Sequence, residues 1–159
     1  MKNKAFSLIE LMVVIAIIAI IAVIAVPNLT RYLAKSKRAE AYTNLHSIHT
    51  AQKIYWAENG RYSDALSGPN GIGWQIEGYK GGGANANHYY TYGFSHGTEG
   101  VNYYTGNLGT SHASLGNTYA DERGFVVAAA GDIDADGKPD VLTVDETGTI
   151  RVVQDDLAD

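Results

Sequence analysis

Apolar positions along this chain fall into two regimes. From Phe6 to Val26 they are continuous, interrupted only by Ser7 and Glu10. At about 1.5 Å per residue such a run makes a helix roughly 30 Å long, the thickness of a bilayer's hydrocarbon core. After Pro27 the pattern changes to helical spacing: Leu29, Leu33, Tyr42, Leu45, Ile48 and Tyr55 recur with Lys, Glu, Asn and Gln between them. One long helix is predicted, apolar in its first half and amphipathic in its second. Pro27 should bend or loosen it, because proline removes a backbone donor and crowds the preceding turn. Asn59-Gly60 supplies a left-handed stop.

Beyond the helix the periodicity shortens. Residues 68–116 are rich in Gly, Asn, Tyr and His, and read as short strands such as Tyr89 to Phe94 joined by irregular loops. The C-terminal part is more regular. GFVVAAA reads as a buried strand, and DVLTVDETGTIRVV as a hairpin turning near Glu146-Thr147-Gly148. Three strands after one long helix make an α+β roll.

Composition narrows the chemistry. The 159 residues include no cysteine, which removes thiolate-metal and disulfide readings and leaves the head to fold on its own core. The net charge is −5 but uneven: from Asp121 to Asp159 eleven acids face only Arg123, Lys138 and Arg151. That imbalance argues against nucleic acid as a partner of the C-terminal part. Basic residues gather at Arg31, Lys35, Lys37 and Arg38, just past the apolar run, where lipid headgroups or acidic neighbours lie within reach. His46 and His49 share a helix face, yet no third ligand at helical spacing completes a metal set. Six of the eleven tyrosines lie between Tyr79 and Tyr104, either packing at a sheet edge or presenting a contact surface.

Glu10 is the anomaly of the apolar run. An acid in a lipid-facing helix costs several kcal/mol, so it must stay near the headgroups or find a partner, and nothing downstream in this chain offers one at its depth. A secretory signal peptide would carry a shorter apolar stretch and a cleavage site after it; here a helical pattern continues instead, so the segment reads as retained.

Those residues carry a resemblance. Lys4-Ala5-Phe6-Ser7-Leu8-Ile9-Glu10-Leu11 resembles the class III leader junction of type IV pilins, with Pro27 at mature position 22. The resemblance implies a pilin-like α+β roll: residues 1–5 a leader, 6–27 a membrane-spanning and filament-core helix, 28–60 its amphipathic continuation, and 61–159 a β-rich head. It implies cleavage between Ala5 and Phe6 by a prepilin peptidase, N-methylation of Phe6, and pairing of Glu10 with the Phe6 ammonium of a neighbouring subunit. Ala5 departs from the commoner glycine before the cut, though it keeps a small residue. A simple positive-inside count favours the reverse orientation, with Lys2 and Lys4 on one side and four basic residues on the other. The resemblance places the leader inside.

Between the buried strand and the hairpin lies GDIDADGKPD. Asp132, Asp134, Asp136 and Asp140 take positions one, three, five and nine of an EF-hand-like loop, Gly137 position six, and Lys138 offers its carbonyl at seven. Four close carboxylates repel unless a cation sits among them, so this is a candidate Ca2+ loop. Thr143 stands where a bidentate Glu is expected, and water, Asp145 or another carboxylate must supply the remaining ligand. The bland alternative is a solvated acidic turn.

The function implied is a structural subunit of a type IV pilus: a homo-oligomeric helical filament for adhesion, surface motility or DNA uptake. Its precursor would sit in the inner membrane and be handled by the inner-membrane pilus assembly machinery. The alternative is a pseudopilin of a type II secretion system. An enzyme is not expected, since no nucleophile with a base, and no open metal position, emerges from the sequence.

Overall fold

The computed structural model describes residues 7–157. One helix, α1 (Leu8–Asn59), runs unbroken through position 27. It starts at a capping box: Ser7 is extended, its hydroxyl accepts from the Glu10 amide, and the Glu10 carboxylate accepts from the Ser7 amide. It stops where Gly60 adopts φ 70° and donates to the Trp56 carbonyl at 2.8 Å, a conformation glycine reaches without steric cost. The predicted stop is thus where the helix ends.

Six strands follow: β1 (Thr91–Gly93), β2 (Tyr103–Tyr104), β3 (Tyr119–Ala120), β4 (Phe125–Gly131), β5 (Asp140–Asp145) and β6 (Ile150–Gln154). They form one antiparallel sheet ordered β2-β1-β4-β5-β6, with β3 also on β4. The GFVVAAA strand and the hairpin fall where the sequence places them. The strand expected at Tyr89 to Phe94 is β1, shorter than its segment, and the additions to the expected set are β2, paired with β1, and β3, which pairs two residues with the start of β4. Strands this short hold only through pairing within the sheet, β1 and β3 on β4 and β2 on β1.

The continuous apolar run of β4 is explained by burial on both faces. Phe125, Val127 and Ala129 join Leu45, Ile48, Leu142, Val144, Tyr92 and Phe94 in the main core under α1. Ala128 and Ala130 point the other way, against Leu115 and Val141. The helix presents Ala34, Ala41, Leu45, Ile48 and Gln52, all buried, to the sheet. Leu29, Leu33 and Tyr42 remain exposed, so the predicted stripe is shifted. Leu29 and Leu33 precede the first buried helix position, and small alanines, which a hydrophobicity count undervalues, line the close approach. Gln52, fully buried, closes the helix end by exchanging hydrogen bonds with both backbone groups of Ser63.

The glycine-rich segment is less loose than its composition suggests. Gly106 passes so near the carbonyls of Tyr89 and Tyr90 that any side chain would strike them. Tyr90, Tyr92 and Tyr104 are fully buried, while Tyr89 stays partly open. Three of the six clustered tyrosines are core residues, and Tyr79 and Tyr103 pack against the core from its edges.

Candidate functional site

Two places gather chemistry. The first is the start of α1. From Leu8 to Val26 every side chain is exposed, with Ile9, Ile15, Ile20 and Ile24 at 58–67%. A stretch of this length and hydropathy is able to cross a membrane, and none of the described residues of the head covers it. Glu10 stands one turn inside. Its Oε2 accepts from the Ser7 amide at 2.9 Å, and Ser7 Oγ accepts from the Glu10 amide at 3.2 Å. Among the described residues Glu10 has no other side-chain partner. The Ser7-Leu8-Ile9-Glu10 spacing is a capping-box signature in its own right, and reading it would have found this local partner. Ala5 and Phe6 lie outside the described residues, and with them the expected cleavage and methylation position.

The second is the loop between β4 and β5. Three of the four predicted carboxylates converge there: one oxygen each of Asp132, Asp134 and Asp136 lies within 4.8 Å of the others. The loop is wound by its own acids. Asp132 Oδ2 accepts from the Gly137 amide at 3.0 Å, Asp134 from the Asp136 amide at 3.1 Å, and Asp136 from the Lys138 amide at 2.7 Å. Ala135 and Gly137 take φ of 67° and 90° to make that winding possible.

The fourth carboxylate in reach is not Asp140 but Asp156, only 6% exposed and arriving from the segment after β6. Its Oδ2 accepts from the Ile133 amide at 3.0 Å. Burial, together with Asp134, Asp136 and Asp132, pushes the Asp156 carboxyl above the usual carboxylate range. Asp132 Oδ1 is buried without any hydrogen-bond partner. A buried carboxylate oxygen with no donor, beside three more acids, is a costly arrangement that a cation would relieve.

Asp140 has a different occupation. Fully buried, it accepts from Arg38 Nε at 2.9 Å and Nη2, from the Tyr90 hydroxyl at 2.6 Å, and from the Asp156 amide at 3.4 Å. Arg38 reaches Asp155 as well. Sequence spacing placed Asp140 in the loop because it counts residues along the chain. The first residue of β5 instead faces the helix, and Asp156 was out of view sixteen positions further on. Nearby, Glu40 accepts from the Tyr92 hydroxyl at 2.8 Å and the Tyr89 amide at 3.0 Å, a second polar tie between helix and sheet.

The histidines do not combine. His49 packs against Phe125 and has the Glu146 carbonyl at 3.4 Å from Nε2, while His88 is buried near Tyr92.

Comparison with known proteins bears on the first place. Residues 1–26 match the prokaryotic N-terminal methylation motif. The chain is also 54% identical over 63 residues to the type IV major pilin protein PilA of Myxococcus xanthus strain DK1622. That match covers 40% of this chain and 29% of the relative's length. The resemblance to type IV pilins read from the leader is therefore shared by a motif family and an individual pilin, and the long helix on an antiparallel sheet has the α+β layout that it implies.

Proposed function

We propose that this protein is a structural subunit of a type IV pilus, polymerising through α1 into an extracellular filament. The observation that carries the reading is an apolar helix exposed from Leu8 to Val26 within a methylation motif, with one acid at its start. Such a surface is stable only in lipid or among copies of itself, and the two states correspond to a membrane-held precursor and an assembled filament. In the precursor, a prepilin peptidase cuts between Ala5 and Phe6 with the leader on the cytoplasmic side. The new Phe6 ammonium of one subunit then meets Glu10 of another. The pilin relative favours a pilus over a pseudopilin of type II secretion, and adhesion, surface motility or DNA uptake are the uses open to such a filament. Mass spectrometry of the mature chain is expected to show an N-terminal, methylated Phe6. A chain still beginning at Met1 would remove the reading.

The β4–β5 loop, in the same proposal, holds Ca2+ through Asp132, Asp134, Asp136 and Asp156. The ion suits all-carboxylate oxygen donors and would satisfy Asp132 Oδ1. Its role is structural: it would tie the loop to the segment after β6. Calcium in excess of its dissociation constant is expected to raise the melting temperature of the full chain in detergent, by about 2–3 kcal/mol of stabilisation at a hundredfold excess. Asp156→Asn should remove that response. An unchanged melt with calcium in wild type would leave only a solvated acidic turn.

A further inference from the structure

A groove of about 480 Å3 opens beside the acidic loop, within the range of ligand sites. Its helix wall comes from the turn carrying Arg31, Leu33 and Lys37, and its opposite wall from Asp134, Asp156 and Leu157. Position along α1 fixes its depth. Arg31 lies five residues past Val26, about 7.5 Å beyond the apolar run at 1.5 Å per residue. The polar headgroup layer on each side of a bilayer is about 5–8 Å thick. When α1 spans, the mouth of the groove therefore lies at headgroup level.

The charges in the groove are arranged in two signs. On the helix side, Arg31 is exposed and has no ion pair among the described residues, and Lys37 donates to the Ile133 carbonyl at 3.0 Å. On the loop side stand two carboxylates, and each wall also carries an apolar side chain, Leu33 on the helix and Leu157 opposite. A plain anion would meet repulsion from Asp134 and Asp156, and a cation lying in the groove, outside the carboxylate cluster proposed to hold Ca2+, would meet repulsion from Arg31. A group with a phosphate at one end, a primary ammonium at the other and an acyl-glycerol behind it meets neither.

We infer that this groove is a binding site for the headgroup of an aminophospholipid of the ethanolamine type. Its phosphate is taken by Arg31 and its ammonium by Asp134 and Asp156. The inference rests on α1 spanning the membrane before assembly. It gives the unassembled subunit a seat on the membrane surface and fixes the tilt of the head. The same two carboxylates belong to the calcium loop, so calcium and the ammonium compete.

The experiment is native mass spectrometry of the full chain in detergent, with phosphatidylethanolamine, phosphatidylglycerol or phosphatidylcholine added at equal concentration. Phosphatidylethanolamine adducts are expected to be retained best. Arg31→Ala should lower them about tenfold, the loss of one charge-assisted hydrogen bond. Asp134→Asn should reduce phosphatidylethanolamine to the level of phosphatidylglycerol, and calcium should do the same to wild type. Circular dichroism checks that both variants are folded. Equal retention of all three lipids by wild type, or an Asp134→Asn variant with unchanged preference, would overturn the inference. So would displacement by free phosphoethanolamine at the same concentration, which would make a soluble metabolite the ligand. Vesicle flotation separates the premises: a chain that floats without lipid preference defeats this site alone, and one that does not float defeats the spanning helix as well.

Discussion

Replacing Glu10 with alanine is expected to abolish filaments while the head stays folded. Glu10 lies 24 residues before Ala34, the first buried helix position, so about 36 Å of helix separates it from the core. No contact of the head depends on it. In a filament, by contrast, the exposed faces of Leu8 to Val26 must pack on one another, and apolar packing alone leaves their axial register loose. An acid held against an ammonium fixes register, because every other offset leaves a charge stranded in hydrocarbon at a cost of about 3 kcal/mol. That is about two decades in association constant at each contact, repeated along the polymer. Glu10→Gln separates charge from capping. Glutamine still closes the box with Ser7 and so preserves the helix start, but it carries no charge. Both variants should therefore be cut and yet give no sheared filaments by electron microscopy. Normal filaments from Glu10→Gln would show that the capping box, and not ion pairing, is what the acid supplies.

How much of this was legible in the residues depends on the range of the signal. The helix and its Gly60 stop, the buried β4 and the β5–β6 hairpin follow from periods of 3.6 and 2 and from turn chemistry, all local. The exposed apolar half is legible for the same reason. Strand β1 lies inside the Tyr89 to Phe94 segment read as extended, whereas β2 and β3 are not legible, since two residues carry no period and owe their state to pairing with β1 and β4. The acidic loop was half visible: Asp132, Asp134 and Asp136 lie two apart, but Asp156 joins them through tertiary structure. Arg38, one of four basic residues read as reaching lipid headgroups or acidic neighbours, takes the second course and turns inward, because a fully buried Asp140 102 positions away requires a partner. The Ser7–Glu10 capping box is a local signal too, an N-cap serine three residues before a glutamate at the head of an apolar run.

The Arg38 and Asp140 pair should carry the largest share of stability among single polar contacts of the head, and unequally between its members. Asp140 joins three pieces: the helix through Arg38, the segment before β1 through Tyr90, and the tail through the Asp156 amide. Its side chain is wholly buried, whereas that of Arg38 keeps 15% exposure and has Asp155 as a second partner. Removing the arginine strands a buried carboxylate with only a hydroxyl and an amide to hold it. Removing the acid leaves a guanidinium that still has Asp155 and some water. Arg38→Ala is therefore expected to cost about 3–5 kcal/mol, the range for breaking a buried pair from one side. Asp140→Asn should cost less, about 1–3 kcal/mol, because the amide oxygen still accepts from Tyr90 or Arg38. Urea unfolding of the full chain in detergent, with the double variant completing the cycle, measures both and their coupling. The double variant should be less destabilised than the sum of the two, since it strands neither charge. Equal costs, or strict additivity, would mean that the helix is held to the sheet by its alanine and leucine stripe alone.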